Sequence, residues 1–521
     1  MSTVPMGVIT LYATGFKVSD IKHLIRNPVK WFSERYVERY TKDMNYGKGN
    51  TVTLENVGKP FYCATANQEE YRFHISALED FFAFMSAKGY GKHLFEIKEL
   101  SRYYPVAKAE FKWVSDKTPR PEDQVAPIEF MLKDAPKRVA ELQTGSGKTL
   151  MSQYVLFKSQ MRAIIIMQPQ FLEGWLDKKG LEGLLGIKEP VSPGDPTDLY
   201  VVHDTRDFMD LIELAKSKTL DAKVIVVKNT VIRAYLGYYF ETNGDDDKYG
   251  CAPEYLMQTL GVGIRIMEEA HLDVNLNYRM DCCFNTWKTI YLSATLSTNG
   301  SYFMRKIYEK MFPEDDCISM EYKIYTIVKG YSYHVDNPKR YKVNGFMGMY
   351  NHANFEASVL RLGKFKRYMD IVYYMMDDNY FRTYKPGQKA IIYLYRADLC
   401  IEAAKLLKQR YPNLKVTYKI GTITAEEGYS GDIIVTTLKS TGTGKDLPNV
   451  AFVGVTISIN SEQTNEQVKG RARKPNDDTI PVFAYCYAQN IEKQVKYHHE
   501  KKRIFQGKVI AHQELSTGIY L

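Results

Sequence analysis

One eight-residue segment, Leu142-Gln-Thr-Gly-Ser-Gly-Lys-Thr149, constrains the fold of this chain more than any other. It stands between a short apolar run and a helical pattern that begins near Lys148, so it predicts a loop that joins a strand to a helix. Gly145 and Gly147 allow backbone amides to converge on phosphate oxygens at the N-terminus of that helix. The segment therefore predicts a phosphate-binding loop.

Consecutive residues of this loop are the candidate nucleotide contacts. They are Thr144, Gly145, Ser146, Gly147, Lys148 and Thr149. The Lys148 ammonium is expected to contact the β and γ phosphates of ATP, and the Thr149 hydroxyl is expected to bind Mg²⁺. Leu142 stands where such loops usually begin with glycine or alanine, which is a departure from the common pattern.

Short β-branched runs alternate with helical patterns from Arg120 onward, as is typical of buried parallel strands in doubly wound sheets. The first series covers residues 163–167, 224–227, 264–267 and 289–292. The second covers residues 324–329, 390–395, 415–418, 432–436, 451–455 and 482–485, with helices expected at 355–377 and 399–410. We expect an α/β fold with two tandem P-loop-type lobes, residues 119–310 and 311–489.

The two ends of the chain have a different texture. Residues 1–118 predict a strand at 8–12, helices at 18–40 and 75–87, and a strand at 94–97, which together make a small α+β accessory domain. Residues 490–521 predict a basic helical tail. We expect the accessory domain to bind nucleic acid.

Composition excludes several classes of protein. A chain of 521 residues with 45% hydrophobic and 25% charged residues is typical of a folded multi-domain protein, and its formal charge of +9 is compatible with a polyanionic partner. No apolar run approaches the ~20 residues that span a bilayer, and no signal peptide opens the chain, so a cytoplasmic protein without a membrane partner is expected. Seven cysteines without a C-x-x-C pair predict reduced, mostly buried thiols rather than a zinc site or disulfides.

A pair of acidic residues follows the predicted strand at 264–267. A phosphate-binding loop requires a carboxylate for its metal ion at the end of a neighbouring strand, and Glu268 meets this requirement. Glu269, the next residue, is placed to orient and deprotonate the attacking water. We therefore expect Glu268 to bind Mg²⁺ and Glu269 to act as the general base.

The order of motifs in the first lobe resembles that of superfamily 2 helicases and translocases. Glu268-Glu-Ala-His271 is similar to their Asp-Glu-Ala-His box with glutamate in place of the first aspartate, and Ser293-Ala-Thr295 is similar to their Ser-Ala-Thr motif. Arg120-Pro-Glu-Asp-Gln124 resembles their Arg-Pro-x-x-Gln element, and Met167-Gln-Pro169 resembles a strand-terminal proline motif. The resemblance implies that Gln124 reads adenine and that His271 lies at the nucleotide. It further implies that Ser293, Thr295 and Pro169 link the ATP site to nucleic acid.

The second lobe carries two further motifs of the same family. Gln467-Val-Lys-Gly-Arg-Ala-Arg473 is similar to the Gln-x-x-Gly-Arg pattern, and by resemblance Gln467 contacts the nucleotide while Arg471 and Arg473 reach the γ-phosphate. Lys474 stands where many relatives have the second arginine, so the choice between Arg473 and Lys474 stays open. Residues 440–448 resemble the Gly-x-Asp-x-Pro motif, which implies nucleic-acid contact for Gly444 and nucleotide contact for Asp446.

The accessory domain and the total length are similar to those of UvsW-type phage recombination helicases. This resemblance implies an ATP hydrolase that remodels branched or forked DNA in recombination, repair or replication restart, encoded by a phage and acting in the host cytoplasm as a monomer. RNA is not excluded as the substrate, so an RNA helicase is one alternative. A viral DNA-packaging ATPase and an ATP-gated binding protein with weak hydrolysis are the others, and protein partners are unknown.

Overall fold

The computed structural model describes residues 5–45, 51–143, 145–176, 180–188, 197–245, 247–294, 296, 301–345, 350–421, 423–440, 447–473 and 477–521. The chain divides into two compact units, Met1–Met320 and Glu321–Leu521. The sequence places the start of the second lobe at residue 311, but residues 317–319 still pair with the first sheet, which moves the division by about one short strand.

The first unit opens with a small mixed sheet, which we call the N-terminal module (residues 5–118). Its elements are β1 (Gly7–Leu11), β2 (Gly15–Ser19), α1 (His23–Glu34), β3 (Val37–Asn45), β4 (Thr51–Pro60), β5 (Cys63–Ala64), β6 (Tyr71–His74), α2 (Leu78–Ala87) and β7 (Phe95–Glu99). The sheet order is β5-β6-β2-β1-β7, and β3 and β4 form a separate antiparallel ribbon. The module is therefore α+β.

An aromatic cluster forms the core of the N-terminal module. Ile25, Val29 and Phe32 are buried at helical spacing on α1. The Phe32 ring lies 5.2 Å from Phe73 of β6 and 5.2 Å from Phe81 of α2. The single helix that the sequence predicts over residues 18–40 is wrong: β2, α1 and part of β3 occupy this stretch, because helical spacing of apolar residues is confined to α1.

The first lobe follows the module. Its elements are α3 (Val125–Leu132), β8 (Lys137–Glu141), α4 (Lys148–Ser159), β9 (Ala163–Met167), α5 (Leu172–Leu176), α6 (Leu181–Leu185), β10 (Leu199–Val202), α7 (Thr205–Lys216), β11 (Val224–Lys228), α8 (Asn229–Glu241), α9 (Leu256–Thr259), β12 (Ile264–Met267), α10 (Val274–Cys283), β13 (Lys288–Ser293), α11 (Tyr302–Met311) and β14 (Cys317–Ser319). The sheet order is β10-β11-β9-β12-β13-β8-β14, with parallel pairing throughout. Helices between parallel strands give the doubly wound, RecA-like arrangement that the sequence predicts.

The N-terminal module and the first lobe share buried polar contacts. The Tyr12 hydroxyl donates to the Cys282 carbonyl, and the Thr14 hydroxyl donates to the Asp281 carbonyl at 3.0 Å. Arg72 of β6 is fully buried and lies 2.7 Å from the Glu254 carboxylate of the lobe. One hydrophobic cluster contains apolar residues of both parts, so the module packs as part of the first unit.

The second unit is the second RecA-like lobe. Its elements are β15 (Ile327–His334), α12 (His352–Arg361), α13 (Phe365–Asn379), β16 (Lys389–Tyr393), α14 (Ala397–Arg410), β17 (Val416–Lys419), α15 (Ala425–Gly428), β18 (Ile433–Thr436), β19 (Val450–Val455), α16 (Glu462–Lys469), β20 (Val482–Ala488), α17 (Glu492–Phe505) and β21 (Ala511–Tyr520). The order β17-β18-β16-β19-β20-β15-β21 is again parallel in every pair. The expected fold class, two tandem parallel-sheet lobes after a small α+β domain, is confirmed.

Two predictions in the second lobe need correction. The long helix expected at 355–377 is two helices, α12 and α13, because Gly363 adopts a φ of +68° between them. The tail expected to be helical throughout contains α17 and then β21, which pairs with β15 at the edge of the sheet. Residues 490–521 are therefore part of the second lobe.

The structure also bears on the cysteines and on membrane-spanning helices. All seven cysteines carry free thiols; six are buried and Cys317 is partly exposed. Within the described ranges, no helix combines the length and the apolar character that crossing a membrane requires.

Candidate active site

Three neighbouring strands of the first lobe end at the candidate site. Strand β13 lies between β8 and β12, and parallel pairing places Ser293 opposite Glu141 and Tyr291 opposite Met267. The Leu142 amide beyond β8 donates to the Ser293 carbonyl at 2.8 Å. Because carboxyl ends of parallel strands meet at one sheet edge, the phosphate loop, the acidic pair and Ser293 are neighbours.

The loop after β8 has the conformation that phosphate binding needs. Gly145 and Gly147 have φ values of +88° and +91°, in the left-handed region that glycine adopts without strain. Gly147 precedes the first residue of α4, and its carbonyl accepts from the Met151 amide at 3.0 Å. The free amides of the first turn of α4, including those of Lys148 and Thr149, are thus available to an anion.

Gln124 and Arg120 support this loop from the preceding segment. The Gln124 side-chain amide donates to the Ser146 carbonyl at 2.7 Å, and the Arg120 guanidinium donates to the same carbonyl at 3.0 Å. Arg120 also forms a two-pronged pair with Asp123 at 2.9 and 3.0 Å. Gln124 therefore lies at the nucleotide loop, while its contact with adenine stays a prediction.

Lys148 and Glu269 form a buried ion pair at the centre of the site. The Lys148 ammonium lies 3.0 Å from Oε1 of Glu269, and both side chains are 8% exposed. Burial acts to raise the pKa of Glu269, but Lys148 and His271 outweigh it and hold this pKa below its usual value. Glu269 is therefore ionised at neutral pH.

Glu268 has the opposite electrostatic character. Burial and the negative charge of Glu269 raise the pKa of Glu268 well above its usual value. Its Oε2 atom is buried and makes no hydrogen bond to any described residue, as is also the case for the Ser146 hydroxyl. A buried carboxylate oxygen without a partner beside a phosphate loop suits a divalent cation, so Glu268 fits the Mg²⁺ site that the sequence predicts, while Thr149 as a second ligand stays a prediction.

His271 connects the acidic segment with β13. Its Nδ1 atom lies 2.8 Å from the Ser293 hydroxyl and 3.4 Å from Oε2 of Glu269. Burial, with a further contribution from Lys148, lowers the pKa of His271 to about 4. A neutral imidazole therefore joins the general-base candidate to the motif after β13.

Polar residues follow the other strands of the same sheet edge. Pro169 opens a short 3-10 turn directly beyond β9 and is exposed. Beyond β11, the Asn229 amide donates to Asp273 at 3.0 Å, and Lys228 is partly exposed. The structure therefore places Pro169 on the surface of the edge that carries the acidic pair.

The predicted residues of the second lobe lie at the end of α16. This helix begins after Ser461, whose hydroxyl accepts from the Thr464 amide at 3.2 Å. Gln467 is on the helix, and Arg471 follows it with 9% exposure. The Arg473 amide donates to the Val450 carbonyl of β19 at 3.0 Å, which ties the turn to the sheet. The roles of these three residues stay predictions.

Some predicted positions lie outside the described residues. They are Thr144, Thr295, Gly444, Asp446 and Lys474. Arg120 opens the predicted Arg-Pro-x-x-Gln element, but no role was assigned to it from the sequence, and the structure places its guanidinium on the Ser146 carbonyl of the loop. The signal for this contact is in the sequence, because the motif that identifies Gln124 also contains the arginine.

Comparisons with known proteins give similarity at the level of solved structures. No protein-family model and no curated protein matches the sequence. The crystal structure of T4 UvsW is similar at 12% identity, covering 98% of this chain and 99% of that one, with a TM-score of 0.31. S. cerevisiae Dbp5 bound to RNA and ADP BeF3 is similar at 14% identity, covering 77% and 90%, with a TM-score of 0.46.

The strand order and the site define the class of protein without those similarities. Two parallel sheets with RecA-like winding, a glycine loop capping α4, and acidic residues at the end of an adjacent strand give the architecture of a tandem P-loop protein.

Proposed function

We propose that this chain is an ATP-driven superfamily 2 motor that remodels branched or forked DNA. One observation carries the ATPase part: the phosphate-loop lysine Lys148 and the acidic residue Glu269 form a 3.0 Å pair where β8, β12 and β13 end. A cation for phosphate and an ionised base for water within one buried site are the two groups that ATP hydrolysis requires.

The chemical step is assigned to side chains of the first lobe. Lys148 stabilises the negative charge that spreads over the γ-phosphoryl group, and Glu269 accepts the proton of the attacking water. The new bond joins the water oxygen to the γ-phosphorus as the bond to the β–γ bridging oxygen breaks. Because the pKa of Glu269 is held low, the base is ready without a preceding deprotonation.

Mg²⁺ is the proposed metal, held by Thr149 and Glu268. When bound, the ion neutralises phosphate charge. Gly145, Ser146 and Gly147, together with Thr144, bind the phosphates through their backbone. Gln124 is assigned to recognition of the adenine ring of ATP, and its side-chain amide contacts the Ser146 carbonyl of the phosphate loop.

Coupling between nucleotide and nucleic acid is assigned to residues at the same edge of the sheet. His271 contacts both Glu269 and Ser293, so a movement of the motif at Ser293 and Thr295 would displace His271 and change the position of the Glu269 carboxylate. Pro169 is assigned a contact with the nucleic-acid backbone, and Gly444 an equivalent contact from the second lobe.

The second lobe supplies the remaining proposed nucleotide contacts. Arg471 and Arg473 are assigned to the γ-phosphate, and Gln467 and Asp446 to the nucleotide. Arginine is suited to this task because its planar guanidinium binds phosphate oxygens in pairs. The motif resemblance supports these assignments.

The proposed substrate is DNA with a branch or fork, in the settings of recombination, repair and replication restart of a phage. The net charge of +9 and the α+β N-terminal module, which resembles that of UvsW-type proteins, support this choice. Binding dominated by phosphate contacts predicts a strong dependence on salt and a weak dependence on sequence.

Steady-state ATP hydrolysis tests the proposal. Turnover is measured alone and with forked DNA, single-stranded DNA or structured RNA, at about 50 and 200 mM salt. We expect stimulation to be greatest with forked DNA and to fall at the higher salt concentration. Stronger stimulation by RNA would move the assignment to an RNA helicase.

Two lysine variants of helix α4 serve as a matched pair. Lys148→Ala removes the phosphate contact and is expected to abolish hydrolysis, whereas Lys158→Ala, at the exposed end of the same helix, is expected to retain it. Absence of turnover in the wild-type protein under every condition would refute the motor and leave an ATP-gated binding protein.

A further inference from the structure

A tyrosine near the start of the second unit belongs to a polar network on helix α16. The Tyr322 hydroxyl donates to Oε2 of Glu466 at 2.7 Å, and the Lys469 ammonium donates to the same hydroxyl. Lys469 also lies 2.9 Å from Oε2 of Glu466 and 4.5 Å from the centre of the Tyr322 ring. Glu466 and Lys469 are buried, and Tyr322 is partly exposed. The three side chains therefore form a closed triangle in which each polar group contacts both others.

The other oxygen of Glu466 is held by the segment that follows α17. Oε1 of Glu466 lies 3.0 Å from the Lys508 ammonium, which also lies 3.5 Å from Glu462. Burial acts to raise the pKa of Glu466, but Lys469 and Lys508 outweigh it and hold this pKa below its usual value. Glu466 is therefore an ionised acceptor, and hydrogen bonds to such an acceptor are stronger than those between neutral groups.

The same two residues of α16 also support the turn that follows the helix. This turn, residues 470–473, carries both arginines of the motif, and we call it the arginine turn. The Gly470 amide donates to the Glu466 carbonyl at 2.8 Å, and the Ala472 amide donates to the Lys469 carbonyl at 2.9 Å. The residues that contact the tyrosine through their side chains therefore hold the arginine turn through their backbone.

Tyr322 lies on the segment that joins the two units. Strand β14 ends at Ser319, which is opposite Glu141 of β8, and the phosphate loop begins one residue after Glu141. Tyr322 follows Ser319 by three positions. A short length of chain therefore leads from the strand beside the phosphate loop to the residue that contacts α16.

We propose that Tyr322 is a positioning residue that fixes the segment between the two units on α16 and so sets the position of the arginine turn. The inference rests on the proposed function, since it takes Arg471 and Arg473 as contacts of the γ-phosphate. Arginine stabilises the charge of phosphoryl transfer only in the correct geometry, so a shift of the turn would lower the rate of hydrolysis. A movement of β14 would be transmitted to the arginine turn through Tyr322.

Hydrogen exchange measured by mass spectrometry tests the contact in the full chain. Tyr322→Phe keeps the ring but removes the hydroxyl, and we expect amides of the arginine turn to exchange about 10-fold faster, as loss of one hydrogen bond to a charged group predicts. Tyr325→Phe changes a partly exposed tyrosine of the same segment and should leave this exchange unchanged. Equal exchange in both variants and the wild type would overturn the positioning role. Exchange needs no turnover, so failure of the ATPase proposal is seen separately.

Steady-state hydrolysis with forked DNA tests the effect on the arginines. We expect Tyr322→Phe to lower kcat roughly 2- to 30-fold, the range for residues that couple two sites, and to leave KM for ATP within a few fold. In an Arg471→Ala background, Tyr322→Phe should have little further effect, whereas a loss of stability alone would lower kcat by the same factor in both backgrounds. An equal factor in both backgrounds, or an unchanged kcat of Tyr322→Phe, would overturn the link to the arginines.

Discussion

Glu269 combines a strained backbone with the proposed role of general base. Its φ of +47° lies in the left-handed region, which costs a residue with a side chain about 1–3 kcal/mol. The pair with Lys148 fixes the carboxylate in this conformation. Strain of this kind persists where the surrounding contacts over-determine it, which supports Glu269 as the reacting base.

Replacing this base gives a direct test at the scale of one residue. Glu269→Gln keeps the size of the side chain but cannot accept the proton, so we expect kcat for ATP to fall roughly 10²- to 10⁴-fold. ADP binding is expected to stay within a few fold of wild type. Glu241→Gln, at the exposed end of α8, is the control. Turnover of Glu269→Gln near the wild-type rate would exclude this base.

His74 predicts a dependence of stability on pH. Burial, together with the charge of Lys137, lowers the pKa of His74 to about 4. An unfolded histidine titrates near 6.5, so between about pH 6.5 and 4 the unfolded chain binds a proton that the native chain does not. The contribution of the neutral, buried His74 to the free energy of unfolding is therefore fully present above about pH 6.5, and it is lost as the pH falls from 6.5 towards 4.

Urea unfolding at pH 7 and pH 4.5 measures the effect. We expect the loss of unfolding free energy between these pH values to be smaller in His74→Gln than in the wild type by about 2 kcal/mol. His93→Gln, an exposed histidine of the same module, is expected to show the wild-type loss. An equal loss in all three proteins would contradict the assignment.

At the scale of elements, two glycines of the first lobe give opposite predictions. Gly147 has a φ of +91°, and a Cβ there would lie 2.4 Å from the Gln124 amide nitrogen. Gly147→Ala should therefore lower the unfolding free energy by roughly 1–3 kcal/mol and weaken ADP binding. Gly237→Ala, inside α8 with open space around the new methyl, should raise it by roughly 0.5–1 kcal/mol. Thermal unfolding and calorimetry would show the contrast, and a stabilised Gly147→Ala would refute it.

The elements also show what sequence reasoning can reach. Strands β9, β12 and β13 match the predicted runs within one residue at either end, because central parallel strands are apolar on both faces. Strand β21 was missed because its residues are mostly exposed and polar, and only pairing with the distant β15 makes them a strand. The candidate site residues were predicted from local motifs, but the buried pair of Lys148 with Glu269 depends on tertiary packing.

Strand β21 has an expected role in stability. It pairs along β15, and the adjoining Leu521 is fully buried. Removal of residues 511–521 would expose the edge of β15 and apolar surface beneath it, so we expect lower unfolding free energy of the second unit and a tendency to aggregate. Gln513→Ala, at an exposed position of the strand, is the control. Unchanged urea unfolding of the shortened chain would contradict this role.

At the scale of the whole molecule, the N-terminal module depends on buried charges that it shares with the first lobe. Arg72 is fully buried against Glu254 and Glu70, at 2.7 and 2.6 Å. Arg72→Ala would leave the buried negative charge of Glu254 with less compensating positive charge. We therefore expect the free energy of unfolding of the first unit to fall by about 3–5 kcal/mol. Arg26→Ala breaks an exposed pair with Glu69 in the same module and should stay close to wild type. Equal unfolding curves for both variants would refute the shared core.

The hydrogen bond between Tyr12 and Cys282 joins residues 270 positions apart. A ribosome that adds about 5–20 residues per second needs on the order of 10–50 s to produce the second partner after the first. During that interval the N-terminal module has already been synthesised, while helix α10, which carries Cys282 and packs against the module, has not. The apolar surface of the module that α10 later covers is then exposed to solvent or bound by a chaperone. Slow synthesis would therefore favour aggregation of the nascent chain.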